Sequence, residues 1–162
     1  MERLVASREI VRVLAVGAHA DDIEIGCGGT ILTLTRQRPN VHVTWVVLAA
    51  PGPRGDEARS SAEDWLRDAE AEVIVHGLRD GFLPYSGDAK DLFEELKSKI
   101  DPQLVLTHSR DDLHQDHRMV SELTLNTFRD HLILEYEIPK FDGDLGRPNV
   151  YVQISEEVAR EK

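Results

Sequence analysis

Two short segments carry the side chains with which this chain could do chemistry. Residues 19–22 (HADD) supply an imidazole and two carboxylates, and residues 114–117 (HQDH) supply two imidazoles and a carboxylate. These groups are ligands that zinc prefers, and a catalytic zinc site has three protein ligands and one position for water. His19 and Asp22 are three residues apart and could bind one ion if the chain turns sharply, with either histidine of the second segment completing the set. A neighbouring carboxylate such as Asp21 is the general base that a hydrolase needs.

Each of these segments follows an apolar stretch that is typical of a buried β-strand. Residues 11–16 (VRVLAV) precede the first segment, and residues 103–107 (QLVLT) precede the second. In open parallel sheets, sites form at the carboxyl ends of the strands. We therefore expect both segments to lie at one edge of a sheet and to meet there.

The rest of the chain alternates strand-like and helix-like segments. Strands are predicted at residues 11–17, 41–48, 72–76, 103–108 and 132–138, with another extended segment at 149–154. Helices are predicted at residues 30–35, 57–70 and 88–100, from residue 117 onward, and from residue 155. A glycine-rich turn at residues 26–29 and a loop at residues 51–56, a candidate mobile wall of the pocket, connect them. The alternation predicts an α/β fold, a Rossmann-like three-layer αβα sandwich with a mostly parallel sheet.

Composition narrows the classes of function. The 162 residues suit one domain, and the formal net charge of −11 with scattered Lys and Arg argues against nucleic acid and anionic membranes as partners. The single cysteine, Cys27, excludes an internal disulfide framework. Arg8 and Glu9 interrupt the apolar residues at the start, where we expect no secretory signal and no membrane span. A cytoplasmic location follows as the expectation.

Other candidate features have simpler explanations. His108 is expected to support the site rather than to bind a metal. Residues 26–31 lack the final glycine of a dinucleotide-binding turn and begin well after the strand. Three more histidines are expected to be surface or turn residues, namely His42, His76 and His131.

The motifs strongly resemble the two signatures of the PIG-L/LmbE-like family of zinc-dependent de-N-acetylases. The first signature spans residues 19–30 (HADDIEIGCGGT), and the second is residues 114–117. Further matches to the family layout lie at Arg59 and at residues 80–84, 136–139 and 148–149. The resemblance covers nearly the whole chain. Two departures occur at residues that are not proposed ligands, Ala20 in place of a common proline and Ile23 in place of a frequent glutamate.

The resemblance implies different roles for the residues of the first motif and for the last residue of the second. His19, Asp22 and His117 would be the zinc ligands. Asp21 would be the general base that takes a proton from the attacking water.

The resemblance also implies roles for three further residues. His114 would stabilise the oxyanion or protonate the leaving amine, and Asp116 would orient the imidazole of His114. Arg59 would contact substrate, although an arginine on a helix is equally expected to form a surface ion pair.

The implied function is removal of an acetyl group from an N-acetylated amino sugar or glycoconjugate. One Zn²⁺ per chain is expected, and a site of two imidazoles and a carboxylate also accepts other divalent transition metals. By the same resemblance, residues 1–162 form one domain that lacks part of the family's C-terminal region, and homo-oligomers, trimers or hexamers, are expected. The alternative is a non-catalytic sugar-binding or metal-binding module that retains the fold.

Overall fold

The protein is built around a five-stranded sheet. We describe residues 10–162 of a computed structural model; the expectation for the start of the chain, including Arg8 and Glu9, lies outside this range. The strands are β1 (Arg12–Gly17), β2 (His42–Val47), β3 (Glu70–Val75), β4 (Leu104–His108) and β5 (Leu132–Tyr136). Their spatial order is β3-β2-β1-β4-β5, and each neighbouring pair is parallel. The predicted parallel sheet is confirmed.

Helices cover both faces of the sheet. They are α1 (Asp22–Gln37), α2 (Pro53–Trp65), α3 (Asp88–Lys99), α4 (Gln115–Thr127) and α5 (Glu156–Glu161), with a short 3-10 turn at Leu83–Tyr85. Successive side chains of a strand point to opposite faces, and β1 shows the consequence. Val13 and Ala15 pack in one apolar cluster with α1 and α2, whereas Leu14 and Val16 pack in a second with α3 and α4. The three-layer αβα architecture is therefore confirmed.

The glycine-rich turn predicted between β1 and the first helix is wrong. Helix α1 begins at Asp22, so the glycines lie inside it. Their role is close packing: a Cβ at Gly26 would lie 2.1 Å from the ring of Tyr136, and one at Gly28 would lie 2.7 Å from the ring of Trp65. The helix therefore starts directly at the candidate metal-binding segment and approaches its neighbours closely.

Two other segment predictions need correction. Helix α2 begins at Pro53 and ends at Trp65, so most of the predicted loop at residues 51–56 is helical. Proline suits the first turn of a helix because its missing N–H would have no partner there. Residues 149–154 are exposed for the most part and join no strand of the described sheet. The helix predicted at Ser155 is confirmed, since its hydroxyl accepts a hydrogen bond from Val158 N at 3.2 Å.

Candidate active site

The candidate site lies where β1 and β4 separate. Their parallel pairing covers only Val13–Ala15 of β1. Beyond it, the amide of Ala18 donates to the buried ring of His108 at 3.0 Å instead of to a backbone carbonyl. The chain crosses from one side of β1 to the other between β3 and β4, so this gap is the topological switch point at which open α/β sheets form their sites.

Asp22 is at the centre of the first motif. Its side chain is buried, and its Oδ2 accepts a hydrogen bond from the backbone N of His19 at 2.7 Å. The same oxygen lies 3.1 Å from His108 Nε2. Oδ1 lies 3.4 Å from His117 Nε2. One carboxylate thus ties the end of β1 to both β4 and the start of α4.

His19 and His117 direct one ring nitrogen each toward Asp22. His19 Nδ1 lies 3.2 Å from His117 Nε2 and 3.4 Å from Asp22 Oδ2. The opposite nitrogens face supporting carboxylates: His19 Nε2 is 3.1 Å from Asp116 Oδ2, and His117 Nδ1 is 2.9 Å from Asp112 Oδ2. Because a carboxylate accepts, His19 Nε2 and His117 Nδ1 each carry a proton, and His19 Nδ1 and His117 Nε2 are the nitrogens that face Asp22 and could bind a metal.

This arrangement fits a divalent transition metal. One imidazole nitrogen of each histidine and the Asp22 carboxylate converge, and each imidazole donates its other N–H to a carboxylate, the usual second contact of a metal-binding histidine. His114 completes one group with His19 and His117 in which the ligand atoms lie within 4.8 Å of one another, and Asp22, His108 and His117 form another. The predicted ligands are therefore brought together by the fold.

The electrostatics of the cluster also favour a cation. Burial would lower the pKa of His19, but the hydrogen bond and charge of Asp22, with those of Asp116 and Asp80, raise it to about 9. Burial and the proximity of His108 lower the pKa of His117 to about 4. A pocket that draws a proton onto His19 also attracts a metal ion, whose binding releases that proton.

Asp22 stays ionised in this environment. Burial alone would raise the pKa of its carboxyl, but the adjacent imidazoles of His108, His19 and His117 hold that pKa well below its usual range. An ionised, buried carboxylate surrounded by imidazoles has the properties of a metal ligand.

Asp21 is adjacent in sequence but differs in environment. It is exposed, it precedes the first residue of α1, and its side chain caps no amide of that helix. Asp22 is buried and Asp21 is open to solvent, so the neighbouring carboxylates have different environments. Asp21 is free to meet a substrate or a water molecule.

His114 and Asp116 are arranged differently from the predicted pair. His114 is the N-cap of α4, with its Nδ1 accepting a hydrogen bond from the backbone N of Asp116 at 3.2 Å. The carboxylate of Asp116 contacts His19 instead, and it accepts from Gly81 N at 2.7 Å and Leu83 N at 3.2 Å. In this structure Asp116 therefore orients His19, while its backbone orients His114.

Arg59 is exposed on α2 and donates to the carbonyl of Val73 at 3.2 Å, on the edge strand β3. Among the described residues this contact links it to β3 and not to the histidine cluster. Its role in substrate binding stays a prediction. Cys27 is buried, and burial raises the pKa of its thiol, as suits a packing residue.

Sequence reasoning assigned no role to several residues of the site. Asp112 lies just before the second motif. Several aspartates occur there, and the sequence does not show which of them contacts His117. Asp80 lies 3.1 Å from His19 Nε2. Tyr136, from β5, donates its hydroxyl to Val16 O at 2.7 Å and lies 3.3 Å from His108 Nε2. One signal in the sequence indicates that Tyr136 could belong to the site, namely that it lies in a segment that resembles the family.

The class of protein follows from the chain's similarity to a known family. Residues 14–128 match the family model of PIG-L, GlcNAc-PI de-N-acetylase. The chain belongs to this family, and the resemblance inferred from its motifs is confirmed.

Individual relatives agree with this assignment. The chain is 26% identical over 160 residues to the uncharacterized deacetylase YaiS of Escherichia coli (strain K12). The match covers 90% of this chain and 83% of that protein. It is similar to N,N'-diacetylchitobiose deacetylase of Pyrococcus horikoshii, with 26% identity and a TM-score of 0.60, over 75% of this chain and 50% of that one. The deacetylase Dbv21, which acts on A40926 pseudoaglycone, shares the fold, with a TM-score of 0.71 at 17% identity over 94% of this chain and 78% of that one. The family match and the two relatives at 26% identity support a hydrolytic deacetylase, and Dbv21 supports the fold alone. Among the described residues, no helix is long and apolar enough to cross a membrane.

Proposed function

We propose that this protein is a zinc-dependent hydrolase that removes the acetyl group from an N-acetylated amino sugar or glycoconjugate. The observation that carries the proposal is the convergence of His19 Nδ1, His117 Nε2 and the Asp22 carboxylate, with each imidazole oriented by a second carboxylate. Asp21, which precedes Asp22 in the chain, supplies an exposed carboxylate at the start of α1.

The metal site would be formed by His19, Asp22 and His117. One Zn²⁺ per chain fits the two nitrogen donors and one oxygen donor, and other divalent transition metals would also bind. When bound, such an ion supplies a Lewis acid that lowers the pKa of water and polarises the acetyl carbonyl.

The chain's own residues perform the proton transfers. Asp21 takes a proton from the attacking water, since its carboxylate is exposed and bound to no described side chain. His114, half-buried with its ring centre 4.9 Å from that of His19 and 4.6 Å from that of His117, donates to the oxyanion or to the leaving amine. Acetate and a free amine result.

The named relatives support an amino-sugar substrate without identifying it. The family description refers to an N-acetylglucosamine conjugate, and the Pyrococcus horikoshii enzyme is named for diacetylchitobiose. The latter match covers half of that enzyme, so the particular sugar, like homo-oligomer formation and a cytoplasmic location, is a proposal for this chain.

The direct test is acetate release from a panel of N-acetylhexosamine derivatives by the zinc-loaded protein. Asp21→Asn is expected to lower kcat by about 10²–10⁴-fold, the contribution of a general base, while zinc affinity stays at the parent value. Asp130→Asn, which removes an exposed carboxylate in the turn after α4, is the matched control and should leave kcat unchanged. Chelation should abolish release, and added zinc should restore it.

Three results would contradict parts of the proposal. Equal turnover by Asp21→Asn and the parent would remove the general-base assignment. Turnover that persists in metal-free protein would remove the metal dependence. Zinc binding without release from any substrate would favour the non-catalytic binding module.

A further inference from the structure

Asp112 connects the two histidines of the second motif. Its side chain is 3% exposed. One oxygen, Oδ2, lies 2.9 Å from His117 Nδ1, and the other, Oδ1, accepts a hydrogen bond from the backbone N of His114 at 2.7 Å. A single carboxylate thus contacts both the ring of His117 and the backbone of His114, and can position both.

Asp112 is itself held by a segment that follows β5. Lys140 Nζ lies 3.0 Å from Asp112 Oδ2 and also pairs with Asp144. Asp144 Oδ2 in turn accepts from the backbone N of Leu113 at 2.7 Å. The Lys140 and Asp144 side chains are 17% and 5% exposed, so this chain of contacts is shielded from solvent over most of its length.

The local backbone permits this connection. Lys140 and Asp144 are four residues apart but not on a described helix, and Gly143 between them has a φ of +65°, which favours glycine. The segment lies beyond residues 14–128, the part of the chain that matches the family model.

Charge compensation explains what the lysine does. A buried carboxylate is costly unless it is paired and hydrogen-bonded, and removing one partner leaves an uncompensated charge that shifts its surroundings. The ammonium group fixes the Asp112 carboxylate on the side of His117, and the Asp144 carboxylate fixes the ammonium group and the backbone of Leu113.

We propose that Lys140 and Asp144 are positioning residues of the active site, which hold Asp112 against His117 and His114 so that the metal-binding nitrogen of His117 is correctly aimed. The effect on turnover rests on the proposed function, but the effect on His117 and on metal binding does not. The segment 139–146 accordingly helps to position the site, in addition to connecting β5 with α5.

The test compares Lys140→Met and Asp144→Asn with Lys90→Met, which removes the exposed Lys90–Glu94 ion pair on α3. Co²⁺ affinity of the purified full chain is measured by absorption titration. Loss of a residue that supports a metal ligand costs about 10–100-fold in affinity, and we expect about tenfold for Lys140→Met and about threefold for Asp144→Asn, which keeps an oxygen for Leu113. Lys90→Met should match the parent.

A second readout needs neither substrate nor metal. In the metal-free protein, the ¹H–¹⁵N signal of His117 Nδ1–H should exchange with solvent at least about threefold faster in Lys140→Met, because outer contacts fix the orientation and tautomer of such a ring. If kcat is measurable, kcat should fall with KM unchanged.

The outcomes separate this inference from the proposed function. No acetate release by the parent would defeat the proposed function, and no Co²⁺ binding by the parent would defeat its metal site; in either case the imidazole exchange rate still decides the inference. A change below about twofold in both affinity and exchange for folded Lys140→Met would overturn it. If circular dichroism shows that Lys140→Met does not fold, the same comparison with Asp144→Asn is decisive.

Discussion

The two turns that form the candidate site are supported in different ways. The β1 turn (residues 18–22) is held by its own backbone and by the adjacent strand, since Asp22 accepts from His19 N and Ala18 N donates to His108 of β4. The β4 turn (residues 109–117) has local hydrogen bonds of its own, such as that from His114 N to Asp112, and is also held by segments distant in sequence. The difference shows that a compact motif can be stabilised locally, whereas a longer turn needs contacts from several loops.

The distant contacts of the β4 turn are specific. Asp116 accepts from the amides of Gly81 and Leu83, which precede and begin the 3-10 turn. Asp112 contacts Lys140 from the segment after β5. Each supporting carboxylate therefore joins one histidine of the proposed ligand set to a loop that the local sequence does not specify.

The largest effect is expected from the centre of the β1 turn. Asp22→Asn keeps the shape of the side chain but removes the charge that both imidazoles face, so zinc affinity should fall by at least about 100-fold, beyond the range for an outer contact, and acetate release should be lost. Isothermal titration with zinc measures the affinity. Asp21→Asn makes the same change one residue earlier and should bind zinc as the parent does. Equal affinity of Asp22→Asn and the parent would remove Asp22 from the ligand set.

The supporting carboxylates of the β4 turn should give the next largest effect. Asp112→Asn and Asp116→Asn should each weaken zinc binding by about 10–100-fold, as expected when the outer partner of a ligating histidine is removed. Asp111→Asn, at an exposed position of the same turn, is the control. Should Asp116→Asn affect turnover through His114 while zinc affinity stays constant, the pairing of Asp116 with His114 predicted from the family would be favoured over the contact with His19.

This contrast also explains what the sequence could predict. The ligand types are recognisable because His19, Asp22 and His117 lie in short motifs at the ends of apolar strands, and the parallel sheet follows from the alternation of strands and helices. Contacts such as Lys140 with Asp112 depend on how a distant loop folds back, and no local pattern encodes them.

The glycines of α1 show the same limit within one element. Gly26 and Gly28 suggested a turn because glycine is costly inside a helix. The reason for their presence is tertiary, since Tyr136 and Trp65 occupy the space that a Cβ would need. Propensity alone could not distinguish a turn from a tightly packed helix.

Gly26→Ala tests this packing and is expected to destabilise the protein by about 1–3 kcal/mol, the usual cost of overpacking. Gly29→Ala is the matched control, because the nearest atom to its Cβ would be 3.4 Å away and alanine favours a helix by up to about 1 kcal/mol over glycine. Urea unfolding monitored by circular dichroism measures both. A Gly26→Ala variant as stable as Gly29→Ala would show that Tyr136 moves aside easily.

A last variant, expected to leave zinc affinity unchanged, tests whether the β1 turn also depends on a distant strand. Tyr136→Phe removes the donor to the Val16 carbonyl, which lies beyond the β1–β4 pairing, and should cost about 1–3 kcal/mol of unfolding free energy, the penalty for a buried unsatisfied acceptor. Tyr151→Phe, at a side chain that is 79% exposed, should not change it. Zinc affinity should stay at the parent value, because the Asp22 carboxylate keeps its hydrogen bond from His19 N. If Tyr136→Phe weakens zinc binding instead, the Tyr136 hydroxyl acts on Asp22 through His108, and the β1 turn also depends on a distant strand.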